Sequence, residues 1–145
     1  MYTIKIITKL STEMVDVTSQ IQQVVTQSGV KSGICMIFIP HTTAGITINE
    51  NADPDVIYDI LKGLNKMIPL NDNYRHLEGN SAAHIKASFF GFSQHIIIED
   101  SKLVLGTWQG IYFCEFDGSR HRQIYVKIIG DNNHGSRTCV TVPKL

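Results

Sequence analysis

Three histidines stand beside short polar motifs in an otherwise apolar chain. His41 lies in Pro40-His41-Thr42-Thr43-Ala44-Gly45, and His76 and His84 bound the stretch His76-Leu77-Glu78-Gly79-Asn80-Ser81-Ala82-Ala83-His84. An imidazole can carry a proton near neutral pH or ligate a metal. With Glu50, Asp53 and Glu78 nearby in sequence, three such rings suffice for an open metal site or an acid/base cluster. Three neutral imidazoles with a free fourth position suit a divalent ion such as zinc, so His41, His76 and His84 are the candidate metal ligands. The chain has no His-Glu-x-x-His or Cys-x-x-Cys pattern. The rival reading is therefore a metal-free acid/base set in which a carboxylate orients one ring.

Other residues offer supporting chemistry. Glu50 ends a short alternating stretch and has no evident local duty, so it is a candidate base or ring-orienting partner. Asp53 precedes Pro54 and is accounted for as a helix cap. Gly79-Asn80-Ser81 stands before a predicted helix, whose unpaired N–H groups form an anion cradle if a cation converges there. Arg120 supplies one candidate cation, since its planar fork can grip a phosphate; the alternative is that it holds a turn together with Asp117. His121 and Arg122 are further cations beside it. Trp108, the only tryptophan, can form the floor for a flat heterocycle or serve in interface packing.

The elements that must position these groups follow from periodicity. Residues 2–9 and 13–18 read as strands. Thr18 is placed to cap a helix over 19–28, with Ile21, Val24 and Val25 as its apolar stripe and Gly29 as its stop. The continuous apolar run 34–39 predicts a central strand buried on both faces, ended by Pro40. A short strand follows at 44–49. Asp53-Pro54-Asp55 starts a second helix running to about residue 66. After a loop over 67–79, Asn80 caps a third helix, 81–90, with Ala82, Ile85 and Phe89 on its apolar face and Gly91 as a left-handed stop. Strands are expected around 96–98, 103–105, 110–117 and 122–130, and the last ten residues add an edge strand or a tail. The final strands lack crossover helices. This order predicts an α+β fold, one compact domain over residues 1–145, with largely antiparallel sheets in a sandwich-like arrangement and about three helices.

Composition narrows the function. The 145 residues are 43% hydrophobic and 18% charged, with zero formal net charge. At this size one core can bury roughly 70% of the surface of the unfolded chain. Neutral charge and the lack of a basic stripe argue against nucleic acid as a partner, and they leave room for self-association. No apolar run approaches the ~20 residues that span a bilayer, and the alternating start is not a secretory signal. Cys35, Cys114 and Cys139 are odd in number and far apart, which points to a cytoplasmic protein without structural disulfides.

Five blocks then carry a resemblance. His41-Thr42-Thr43-Ala44, Asn49 through Asp55, Glu78-Gly79-Asn80 through His84, Leu105-Gly106-Thr107-Trp108-Gln109 and Phe116-Asp117-Gly118-Ser119-Arg120 occur in this order in the YjbQ-like family. The chain resembles that family over roughly residues 3–130. The resemblance implies a compact α+β domain, a homotrimer, and a site at subunit boundaries to which His41, Glu50, His76, His84, Trp108 and Arg120 correspond. It also implies activity of the secondary thiamine-phosphate synthase type, in which a pyrimidine pyrophosphate joins a thiazole phosphate and pyrophosphate leaves. Two departures are visible. Ser119 stands where the family more often has proline, and Ala82-Ala83 precede His84 where many relatives carry a carboxylate. The leading expectation is an enzyme acting on phosphorylated small molecules. In it His41, Glu50, His84 and Arg120 are catalytic, and Asn80, Ser81, Trp108 and Arg120 hold substrate. A metal-assisted phosphoester or pyrophosphate hydrolase and a non-catalytic trimeric metal- or ligand-binding protein are the alternatives.

Overall fold

Alternating hydrophobicity in the strands and capped apolar stripes in the helices set the element order. In a computed structural model describing residues 1–131, the chain runs β1 (Tyr2–Ile7), β2 (Glu13–Asp16), α1 (Thr18–Ser28), β3 (Gly33–Phe38), β4 (Ala44–Glu50) and α2 (Pro54–Met67). It continues with α3 (Ser81–Phe90), β5 (Ser93–Glu99), β6 (Lys102–Leu103), β7 (Gln109–Glu115) and β8 (His121–Gly130). Five strands form one sheet in the order β1-β8-β3-β5-β6 and three form another in the order β2-β7-β4. Every strand pairing among the described residues is antiparallel. The α+β class, the three helices and the antiparallel sheets agree with the reading from sequence.

The main core lies between the sheets. Ile37 and Val126 from the larger sheet meet Ile46 and Phe113 from the smaller, and Ile21 and Val25 of α1 close one side. The other face of the smaller sheet presents Tyr112 and Cys114 to Ala83 and Ala87 of α3, with Ile57 and Leu64 of α2 packed alongside. Gly45 permits this close layer: a Cβ there would lie 2.9 Å from the Gly91 carbonyl oxygen and 3.1 Å from Phe90 Cβ. Among the described residues no helix is long and apolar enough to cross a membrane.

Several local expectations are corrected. Thr18 is the first residue of α1 rather than its cap; its hydroxyl donates to Asp16 Oδ1 (2.6 Å) and accepts from the Ile111 N–H (2.9 Å). Gly29 does end α1 in the left-handed region, at φ 70°. Asp53 caps α2 as expected, accepting from the Asp55 N–H at 2.9 Å. β3 is central but alternates, with Cys35 and Ile37 buried while Ile34 and Phe38 face out, because no layer among the described residues covers the outer face of the larger sheet. On α3 the buried face carries Ala82, Ala83, Lys86 and Ala87, whereas Phe89 is 75% exposed. The two alanines and Ala87 let the helix approach the sheet on a side that the size of Phe89 would block. Gly91 has positive φ but extended ψ, so it is not a left-handed stop. The strand expected at 103–105 shortens to Lys102–Leu103. The expected edge strand or tail in the last ten residues lies outside the described residues.

Among the described residues six connections pass from one sheet to the other, and three of them, β1 to β2, β3 to β4 and β7 to β8, are short links without a helix. All three meet at one end of the sandwich. Thr8 gives its N–H to the Arg120 carbonyl (3.0 Å), Gly118 gives its own to the Ser11 carbonyl (3.0 Å), and Phe116 to the Thr43 carbonyl (3.2 Å).

Candidate functional site

The crossings put chemistry at that end. Ile39 continues β3 for one bond, donating to the Phe92 carbonyl at 2.7 Å. Pro40 then has no N–H to extend the ladder, and the chain leaves the sheet at His41. The His41 ring lies against the stretch of β8 beyond the last β3 pairing, Phe38 with Tyr125, where its Nε2 accepts the Gln123 N–H at 2.9 Å. Burial and the positive charge of Arg122 hold its pKa below the ordinary 6.5. The Gln123 amide works the same way, because its N–H occupies the lone pair a second proton would need. His41 is therefore neutral at pH 7, with its proton on Nδ1.

Behind it lies a buried ion pair. Glu115 ends β7 on the inward face shared by Ile111 and Phe113, and it is 0% exposed. Arg122 occupies the inward side of β8 with Ile124 and Val126. Its Nε donates to Glu115 Oε2 (2.8 Å), and its Nη2 to Glu115 Oε1 (2.5 Å) and to Thr43 Oγ1 (2.8 Å). Glu115 also accepts from Thr8 Oγ1 and the Asp117 N–H, each at 2.9 Å. Burial pushes the Glu115 pKa up, but these donors and the Arg122 charge outweigh it and hold the carboxyl below its ordinary value. The Nη1 of Arg122 makes no hydrogen bond among the described residues.

Arg120 is held differently. Its Nε donates to the Asp117 carbonyl (2.7 Å) and its Nη2 to Asp117 Oδ2 (2.9 Å). The turn-holding role is thus real, and Arg120 still lines the cavity. Asp117 Oδ2 also accepts from Asn80 Nδ2 at 3.0 Å. Asn80 sits at the N-cap position of α3 but spends its amide on Asp117 and makes no capping bond. Its Oδ1 is buried with no donor among the described residues. The start of α3 therefore faces the site uncapped, and a helix start of that kind favours an anion.

An open cavity of about 740 Å³ joins these parts. Its lining includes His41, Thr43 and Arg122, the linked Asn80, Asp117 and Arg120, and the pair His76 and His84. The His76 and His84 rings meet edge to face with centroids 5.4 Å apart. His76 Nε2 lies 3.7 Å from Glu78 Oε2 in an exposed pair.

The structure thus brings together His41, His76, His84, Asn80 and Arg120 from three separate stretches of chain. Ser81 opens instead on a smaller hollow beside His76 and His84. Glu50 and Trp108 stand elsewhere. Glu50 pairs with Gln109 at one end of the β4–β7 ladder, whereas Ala44 pairs with Glu115 at the other. Asn51 ties the Trp108 carbonyl to that remote end (2.9 Å). Within one chain neither residue reaches the histidines, because the full length of two strands intervenes.

The zinc-like trio is also not formed within the chain. Among the described residues no three His, Cys, Asp or Glu side chains stand in metal-holding geometry. The physical reason is visible at His41, whose Nε2 lone pair already takes the Gln123 N–H. The sequence reading assigned no role to Glu115 or Thr43 and named Arg122 only as a further candidate cation beside Arg120. The signal was a carboxylate inside the apolar run 111–116, and an arginine in phase with Ile124 and Val126.

Fold and site together define a class: a small α+β sandwich whose sheet-crossing connections frame a histidine- and arginine-lined cavity at one end. The family model described as UPF0047 protein YjbQ-like matches residues 2–131, and the chain belongs to that family. It is 62% identical over 119 residues to a UPF0047 protein of Methanocaldococcus jannaschii, covering 82% of this chain and 86% of that one. It is 52% identical over 129 residues to the UPF0047 protein YugU of Bacillus subtilis, covering 88% and 98%. The crystal structure of an uncharacterised YjbQ/UPF0047 family protein from Clostridium acetobutylicum superposes with TM-score 0.88 at 56% identity, over 89% of this chain and all of the other. A protein of unknown function from Sulfolobus solfataricus gives TM-score 0.86 at 38% identity, over 90% and 96%.

Proposed function

We propose that the end cavity binds a phosphorylated small molecule and that the protein acts on it as an enzyme. The observation supporting this most is the convergence of three imidazoles and two guanidinium groups on one open cavity beside an uncapped helix start. Arg122 offers an uncommitted Nη1, Arg120 adds a second positive charge, and the first turn of α3 adds partial positive charge. These groups suit the oxygens of a phosphate or pyrophosphate. Neutral His41 offers an Nδ1–H donor, and the His76 and His84 rings line the same cavity.

The family resemblance suggests the finer reading, a thiamine-phosphate-synthase-like transfer. There the thiazole nitrogen attacks the pyrimidine methylene carbon, a C–N bond forms, the C–O bond to pyrophosphate breaks, and pyrophosphate leaves with the electron pair. Neutralising that leaving group is what the arginines and the α3 start would contribute. A homotrimer is part of this proposal. It would give Glu50 and Trp108 a route to a neighbouring subunit's cavity that their own chain denies them. A cytoplasmic setting fits too, since Cys35 and Cys114 are free and buried.

The test couples binding to turnover. Wild type should bind pyrophosphate by titration calorimetry, with Arg120→Ala weakening it at least tenfold. His84→Ala should slow coupling of the two thiamine precursors while leaving pyrophosphate affinity close to wild type. Equal coupling rates for wild type and His84→Ala would remove the catalytic assignment. Release of inorganic phosphate without a new C–N bond would replace the transferase by a hydrolase. Absence of pyrophosphate binding would remove the whole reading.

A further inference from the structure

The larger cavity has a neighbour. Tyr74, Arg75, Ser81 and Ile85 line a second, open hollow of about 450 Å³, and His76 and His84 line both hollows. The edge-to-face imidazole pair is thus a shared wall, polar on the side of Arg120 and Arg122 and largely apolar on the side of Tyr74 and Ile85. A hollow of this size is within the range that accepts part of a small ligand.

We infer that the second hollow is a ring subsite, so that the ligand is a phosphorylated aromatic or heteroaromatic compound lying across the His76–His84 pair. This rests on the anion-binding reading of the larger cavity. Three features carry it. The lining includes a tyrosine, an isoleucine and two imidazoles, side chains that favour a flat apolar ring. Tyr74 is tied back to its own loop, its hydroxyl donating to the Pro69 carbonyl at 2.9 Å. Arg75 and the Ser81 hydroxyl make no hydrogen bond or ion pair among the described residues. They are two donors on the rim, suited to an acceptor substituent such as a ring nitrogen, carbonyl or carboxylate.

Three probes separate the two halves of the site: inorganic phosphate, methyl phosphate and phenyl phosphate, each titrated calorimetrically. Burying a phenyl ring should make phenyl phosphate bind about tenfold or more tighter than methyl phosphate in wild type. Ile85→Trp, which fills the hollow, should bring that ratio close to one, and Ile85→Ala should lower it severalfold. Both variants should bind inorganic phosphate as wild type does, which also shows that they are folded. Equal affinity of wild type for the phenyl and methyl esters would overturn the ring subsite while leaving the anion site standing. An undiminished ratio in Ile85→Trp would do the same by placing the ring elsewhere. Failure of wild type to bind inorganic phosphate would overturn both readings.

Discussion

The Glu115–Arg122 pair invites a perturbation whose size can be worked out in advance. Glu115 is wholly buried and Arg122 is 6% exposed. The carboxylate accepts four hydrogen bonds, two from Arg122 and one each from Thr8 and Asp117. Glu115→Gln keeps the shape but removes the charge and turns one acceptor into a donor. An arginine is then left buried without its counter-charge, which costs about 3–5 kcal/mol. Against a total stability of about 5–15 kcal/mol that is a large share. For a chain of this length it corresponds to a fall in Tm of roughly 10–15 °C. The reasoning makes a second, less obvious demand. Taking both charges out together, in Glu115→Leu/Arg122→Met, removes the desolvation cost as well as the attraction and should recover most of the loss. What remains is chiefly the Asp117 N–H, which loses its acceptor at about 1–3 kcal/mol. Urea unfolding followed by far-ultraviolet circular dichroism, at one protein concentration, measures all three proteins. A single variant that loses less than about 1 kcal/mol, or a double variant less stable than the single, would refute this account of the pair.

Two further outcomes follow from burial. The His41 C2 proton should titrate in NMR with a midpoint below 6.5, the ordinary value from which burial and Arg122 lower it. Because that folded-state pKa is depressed, the stability it contributes is present above pH 6.5 and is lost as pH falls through the folded value; a midpoint at or above 6.5 would contradict the Gln123 bond. Burial lifts the Cys35 thiol to about 11 and raises that of Cys114 further. In a Cys139→Ser background neither should react with Ellman's reagent at about pH 8, near the ordinary thiol pKa, until denaturant is added. Prompt labelling of the native protein would show that one is accessible.

The legible parts of the sequence were those where one physical signal acts alone. Asp53-Pro54 starts α2 because cap and ring restriction agree, and Gly29 ends α1 because only its backbone turns left-handed at low cost. The motifs could suggest that His41, His76 and His84 gather, but periodicity could not require it, since the gathering depends on three crossings meeting at one end. Where signals competed, tertiary packing decided. The apolar run of β3 reads as doubly buried, yet its outer face has no covering layer among the described residues. Phe89 looks like core and is exposed, because alanines make the closer contact with the sheet. Glu50 and Trp108 fall within or beside the blocks that carry the family resemblance, but at the opposite end of the ladder from the histidines. A linear motif carries no information about which end of a strand it occupies.

The cavity has walls of unequal firmness, and this bears on how it would hold an anion. Arg122 is fixed by three bonds inside the core, and Arg120 by two bonds to Asp117. Their guanidinium groups are oriented before any ligand arrives, so little side-chain freedom is left to lose on binding. The same bonds limit the charge each can offer, because Glu115 and Asp117 already neutralise them in part. Attraction at long range is accordingly weak, which agrees with a chain of zero net charge, and recognition falls to the short-range geometry of Nη1 and the α3 start. His76 is half exposed, with a 3.7 Å contact to Glu78 and an edge-to-face contact with the His84 ring. If the cavity acts as proposed, the firmly held arginines, Arg122 and Arg120, would set affinity for the anion, and the side of His76 and His84 would be where substitution changes turnover. Substitutions on the two sides should then separate binding from turnover.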